Sequence, residues 1–139
     1  MPEGRTLVAG HAVGIALVLD EPLSFWGGLD PATGALIDTH HPQLGANLAG
    51  RVLVMPSGRG SSSSSYVLAE AIRAGTAPAA IILREPDGII ALGAIVAREL
   101  YGVQMPVITL AGSDCDTLRT HAALEIEAQA QTASVTARS

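Results

Sequence analysis

Apolar positions along the chain fall into short blocks, and their spacing changes from one block to the next. Thr6 to Asp20 reads as strand, interrupted by Gly10 and Gly14, with Ile15-Ala16-Leu17-Val18-Leu19 as its apolar run. Residues 23–31 and 40–45 read as loops on their Gly, Pro and Asp content, with Ala35-Leu36-Ile37-Asp38 as a short strand between them. Arg51-Val52-Leu53-Val54-Met55, Ala79-Ala80-Ile81-Ile82-Leu83 and Pro106-Val107-Ile108-Thr109-Leu110 are continuous apolar blocks of strand length, the pattern of buried strands. Between the first two, Ser65 to Ala74 places Val67, Leu68, Ala71 and Ile72 on one side of a helix, and Gly75 is a natural stop. Residues 89–101 predict a second helix with Ile90, Ala94, Ala97 and Leu100 inside. A short helical turn is expected over Asp116 to His121, with Asp114 and Asp116 as capping residues. Leu124-Glu125-Ile126-Glu127 predicts a strand with one wet face. The Ala/Gln/Thr/Ser-rich end, 130–139, is expected to fray.

The centre therefore reads strand–loop–helix–strand–helix–strand, the grammar of βαβ units on a parallel sheet. The first 50 residues are β-rich with long loops. With no repeat and no linker, the expectation is an α/β chain folded as a single compact β/β/α domain over 1–139.

Composition agrees with a packed core: 48 % of the 139 residues are hydrophobic and 15 % charged. A chain of this size buries roughly 70 % of its unfolded surface. Aromatics are only 3 %, so aliphatic residues must fill the interior. The net charge is −5, and all eight basic residues are Arg, with no basic stripe, which argues against nucleic-acid binding. No apolar run approaches a membrane span and no signal-type block follows Met1, so no membrane and a cytoplasmic location are expected. Cys115 is the only cysteine, too few for a disulfide, a zinc site or a cluster within this chain.

The candidate chemistry lies in Pro56-Ser57-Gly58-Arg59-Gly60-Ser61-Ser62-Ser63-Ser64-Ser65, between a strand and a helix. Its glycines permit a tight backbone path, and a helix start offers free N–H groups to an anion. Arg59 adds a planar cation able to grip a carboxylate with two bonds. A plain N-cap followed by a flexible serine run is the competing reading. The loop lacks the Gly-Lys-Ser/Thr ending of a phosphate loop and the Gly-x-Ser-x-Gly of a nucleophile elbow.

Gly60-Ser61-Ser62 after a strand is similar to the Gly-Ser-Ser loop in the swivelling domain of aconitase-like hydro-lyases. Taken with Pro22-Leu23-Ser24-Phe25-Trp26-Gly27-Gly28, Asp38 with His41-Pro42, and Ala77-Pro78-Ala79-Ala80-Ile81-Ile82, the chain resembles the small, swivelling subunit of aconitase X. The resemblance implies a dehydratase subunit that is active only with a large partner subunit. Iron or an iron–sulfur cluster would sit on that partner, and the substrate would be a small hydroxy acid. Such enzymes include cis-3-hydroxy-L-proline dehydratases and mevalonate 5-phosphate dehydratases; the Arg-only, Ala-rich composition favours the former. Ser61 matches the position of the serine base, with Ser62 beside it, and Arg59 and Gly60 are expected to bind substrate. A module that only binds an anion and docks to a partner is the rival reading.

For several other residues two readings stay open. Ser24 either binds a substrate carboxylate or caps a turn. Trp26 and Phe25 either line a substrate pocket or the subunit interface, or pack in the core. Asp38, His40 and His41 either face the partner or are ordinary loop residues. Cys115 reads as a small buried side chain, and no metal ligand is assigned to this chain.

Overall fold

The computed structural model describes residues 2–58 and 63–138; Met1, residues 59–62 and Ser139 are outside the described residues. The strands are β1 (Glu3–Val8), β2 (Gly10–Val18), β3 (Val52–Met55), β4 (Ala80–Leu83), β5 (Val107–Thr109), β6 (Ala123–Ala128) and β7 (Thr132–Ala137). They close into a barrel in the order β1-β5-β4-β3-β2-β6-β7. Neighbours from β2 to β5 run parallel, while the remaining pairs, β5 with β1, β1 with β7, β7 with β6 and β6 with β2, are antiparallel. Helices α2 (Ser63–Ala74) and α3 (Gly88–Tyr101) make the crossovers from β3 to β4 and from β4 to β5. No helix among the described residues is long and apolar enough to cross a membrane.

Every residue of β3 and β4 is buried, because each strand is covered on both faces. Val52, Val54 and Ile82 turn into the barrel, where they meet Ala16, Ile108 and Ile126. The alternate residues Leu53, Met55, Ile81 and Leu83 turn outward and pack under Leu68, Ile72, Ile90 and Ala94 of the two helices. Two cores thus share one wall. The helices approach closely at Gly93, where a Cβ would lie 2.9 Å from the Ser65 carbonyl oxygen and 3.2 Å from Leu68. That contact holds the first turn of α2 against α3.

Several expectations are corrected. The tail does not fray: Thr132–Ala137 is β7, with Ala133 and Val135 buried in the barrel. Leu100, expected inside, is 67 % exposed, because it falls about a quarter turn off the Ile90–Ala94–Ala97 stripe. Ala35 to Asp38 is not a barrel strand and makes only isolated bridges, Leu29 with Leu36 and Ala35 with Asn47. Its amides bond within the loop, Leu36 to the Ala46 carbonyl and Ile37 to the Gly28 carbonyl. The helical turn expected over Asp116 to His121 lies earlier, as α4 (Gly112–Cys115), with Ala111 at its N-cap and no side-chain cap. His121 takes a left-handed φ of 75°, which delivers its amide to the Ala16 carbonyl and rules out a helix there.

The long connection from β2 to β3 is pinned by polar side chains. Gln43 donates to the Val18 carbonyl and accepts from the Asp20 amide, substituting for a strand partner where β2 ends. His41 is 5 % exposed. Its Nδ1 accepts from the Gln43 amide, so Nε2 carries the proton and donates to the Glu21 carbonyl. Asp38 accepts from the His40 amide in a local turn. Among these three, His41 and Asp38 act as loop struts.

Candidate active site at the serine loop

The parallel strands all end on one side of the barrel, the side where open α/β sheets bind their ligands. There β3 gives way to Pro56, Ser57 and Gly58, and Gly58 bridges in parallel to Leu23. The chain is next described at Ser63, the first residue of α2. Arg59, Gly60, Ser61 and Ser62 lie between these points and outside the described residues. The described residues on either side form a frame with two walls.

One wall of the frame is the turn carrying Ser24 and Trp26. Ser64, 3 % exposed, accepts from the Trp26 amide at 3.2 Å. Ser24 Oγ donates to the Trp26 carbonyl at 3.0 Å and lies 3.2 Å from Ser64 Oγ. A hydroxyl has one hydrogen; Ser24 spends its own on the carbonyl, so Ser64 is the donor between the two. Ser24 thereby closes the turn named in one of its two readings. The same turn forms α1 (Phe25–Gly28), a single turn broken at Trp26 and Gly27. Gly27 has φ 79°, a left-handed conformation suited to glycine. The break separates the two aromatics: Phe25 is 1 % exposed and belongs to the core, while the Trp26 indole is 62 % exposed.

The other wall is the start of α3. Asp87 caps that helix, its Oδ1 accepting from the amides of Ile89 at 2.9 Å and Ile90 at 3.0 Å. Its second oxygen lies so close to Gly58 that a Cβ there would stand 2.3 Å from it. Gly58 is therefore required by close approach. Asp87 is the charged group in the small pocket formed with Leu23, Phe25, Gly58 and Ser64. Sequence reasoning passed over Asp87, although Asp87-Gly88 ahead of Ile89-Ile90 is an N-cap signal. It also did not separate Ser64 from its identical neighbours.

Two further groups bear on metals. Cys115 is 5 % exposed, and its thiol donates to the Leu110 carbonyl. Burial pushes its pKa up, with the Arg84 cation beside it pulling the other way. A single buried, protonated thiol does not fit an iron–sulfur cluster, which needs several thiolates. Among the described residues, His11, Glu125 and Glu127 bring ligand atoms within 4.8 Å of one another. They stand on β2 and β6 near the start of β2, at the opposite end of the barrel from the serine loop. His11 already bonds Glu125 at 2.6 Å, which holds the Glu125 carboxyl below its usual range.

The aconitase X swivel domain family matches residues 1–135. A cis-3-hydroxy-L-proline dehydratase of Pseudomonas aeruginosa (strain PAO1) is 58 % identical over 106 residues, 76 % of this chain and 18 % of that protein. The corresponding dehydratase of Hypocrea jecorina is 43 % identical, with 20 % of its length covered. The chain thus spans about a fifth of these two relatives. A phosphomevalonate dehydratase small subunit of Methanothermobacter thermautotrophicus is 48 % identical over 67 % of this chain and 71 % of its own. The crystal structure of Thermococcus kodakaraensis aconitase X superposes with a TM-score of 0.84 at 34 % identity, covering 98 % of this chain and 99 % of that one.

Proposed function

The chain belongs to the aconitase X swivel domain family, and from that premise we propose that it supplies the proton-abstracting half of a dehydratase completed by a large partner subunit. The substrate is a small hydroxy acid, with cis-3-hydroxy-L-proline favoured over mevalonate 5-phosphate by the 58 % identity to the Pseudomonas enzyme. The observation that carries this reading is the framed loop. On either side of residues 59–62 in the sequence, Ser64 is bonded to the Ser24–Trp26 turn and Asp87 lies against Gly58.

In this reading Ser61, with Ser62 beside it, is the base. As an alkoxide it takes the proton alpha to the substrate carboxylate; the new electron pair forms the double bond, and the hydroxyl on the adjacent carbon leaves to become water. A serine hydroxyl is far too weak an acid to ionise unaided. The N-terminus of α2, the Gly60 backbone and the Arg59 cation lower the cost of its negative charge and of the charge growing on the carboxylate. Trp26 offers an exposed aromatic face beside the loop, to the substrate or to the partner. The iron centre is assigned to the partner, because the lone Cys115 does not fit one.

The test is the assembled enzyme with Ser61→Ala, Ser62→Ala and the double substitution. Loss of a general base costs about 10²- to 10⁴-fold in kcat, and exchange of the alpha proton in deuterated water should fall with it. Wild-type exchange by the double variant would place the base elsewhere. Robust dehydration by the 139-residue chain alone would overturn the two-subunit reading.

A further inference from the structure

The mouth of the barrel is open where β2, β3 and β4 end. A cleft of about 300 Å³ lies there, lined by Asp20, Pro56, Arg84, Cys115 and Asp116, with Val18 and Val54 among its apolar residues. That size is at the lower end of small-molecule pockets, roughly 300–1,000 Å³, and barrel mouths are a usual place for them. Pro56 connects the cleft to the serine loop two residues before Gly58. Arg84 is tied to the same stretch, its amide donating to the Pro56 carbonyl at 3.1 Å.

The Arg84 guanidinium is held at the cleft by the Gly112 carbonyl at 3.0 Å and by the Asp116 carboxylate. Asp20 lines the same space. One fixed cation and two carboxylates therefore share a small cavity with apolar walls. An α-amino acid carries both signs on one carbon and satisfies both kinds of group at once. A phosphate ester with a separate carboxylate brings only negative charge and meets two like charges for each unlike one.

We propose that the barrel mouth is the subsite for the charged head of an α-amino acid substrate. Arg84 takes the carboxylate, Asp116 and Asp20 take the ammonium, and the ring methylenes rest on the barrel-side Val18 and Val54. The proposal rests on the dehydratase reading and adds to it the groups by which this chain selects an amino acid. Arg84 binds and orients; the proton transfer stays with the serine loop. As the alpha proton leaves, a second negative charge develops on the carboxylate, and a cation held at that end is suited to it.

The experiment measures binding of L-proline, which has the charged head but no hydroxyl to lose, to the assembled enzyme. Arg84→Gln should weaken L-proline about 10- to 100-fold, the loss of a charge-assisted bond. Arg84→Lys should recover part of it, since charge is kept and the planar fork is lost. The double variant Asp20→Asn with Asp116→Asn should weaken L-proline and tighten inorganic phosphate, a reversal that mere loosening of the fold does not produce. It also decides the matter should Arg84→Gln not fold. Wild-type L-proline affinity in Arg84→Gln and in the double variant overturns the proposal, as does a wild-type enzyme that binds phosphate in preference to L-proline or binds no L-proline. Failure of the dehydratase reading looks different: Arg84-dependent L-proline binding without turnover of hydroxyproline removes the reaction and leaves the subsite.

Discussion

Ser61 to Ser65 are identical in the sequence, and a residue type gives no sign of which hydroxyl is structural. The structure makes Ser64 a strut, buried and bonded to the Ser24–Trp26 turn. Cys115 was more legible, since a lone small thiol near apolar residues reads as core. Its titration gives a test with a definite sign. Burial raises the folded pKa, so below the ordinary thiol range neither state ionises and the contribution is fully present. As pH climbs past that range the unfolded chain gains a thiolate that the folded chain resists, and stability falls until the folded pKa is reached. Urea unfolding at neutral pH and near pH 10 (roughly, past an ordinary thiol) should show a larger alkaline loss for wild type than for Cys115→Ala. Equal losses would mean that the thiol is not desolvated.

At the scale of elements, the two helices and the three strands between residues 51 and 110 were readable from apolar spacing alone. Each of these strands is sandwiched and each helix has one buried stripe, so the period is clean. The loop frame was less readable, because it is made by contacts between segments far apart in sequence. Gly58 and Asp87 are 29 positions apart, and nothing local announces that one must lack a Cβ for the other to cap α3. Gly58→Ala is therefore expected to push the Asp87 carboxylate off the Ile89 and Ile90 amides. The cost combines a lost cap, about 1 kcal/mol, with overpacking against Ile90, about 1–3 kcal/mol. Asp87→Ala alone should show the cap portion, and Gly58→Ala should cost less in that background than in wild type. Additive losses in a thermal-unfolding cycle would separate the two residues.

The closed barrel was the part of the whole molecule least visible beforehand. Thr132 to Ala137 alternates small polar with small apolar residues, and alanine is too weak a hydrophobic signal to stand out from a polar tail. Closure, moreover, pairs β7 with both β1 and β6, a relation between the two ends of the described chain. Ending the chain after Gln131 should leave one edge of β1 and one edge of β6 unpaired and the barrel interior open beside Ile126. Such a chain is expected to lose its cooperative thermal transition and dispersed amide spectrum; a wild-type-like melt would make β7 an accessory. Closure also decides how another protein can hold this one. A sheet with a free edge can be gripped by a borrowed strand, whose ladder of amide bonds locks register and angle together. This barrel has none to lend. A companion must grip by side chains and loop backbone, contacts that can be broken a few at a time and remade at a new angle. The domain can then turn as a rigid body about its companion without any of its own strands unzipping.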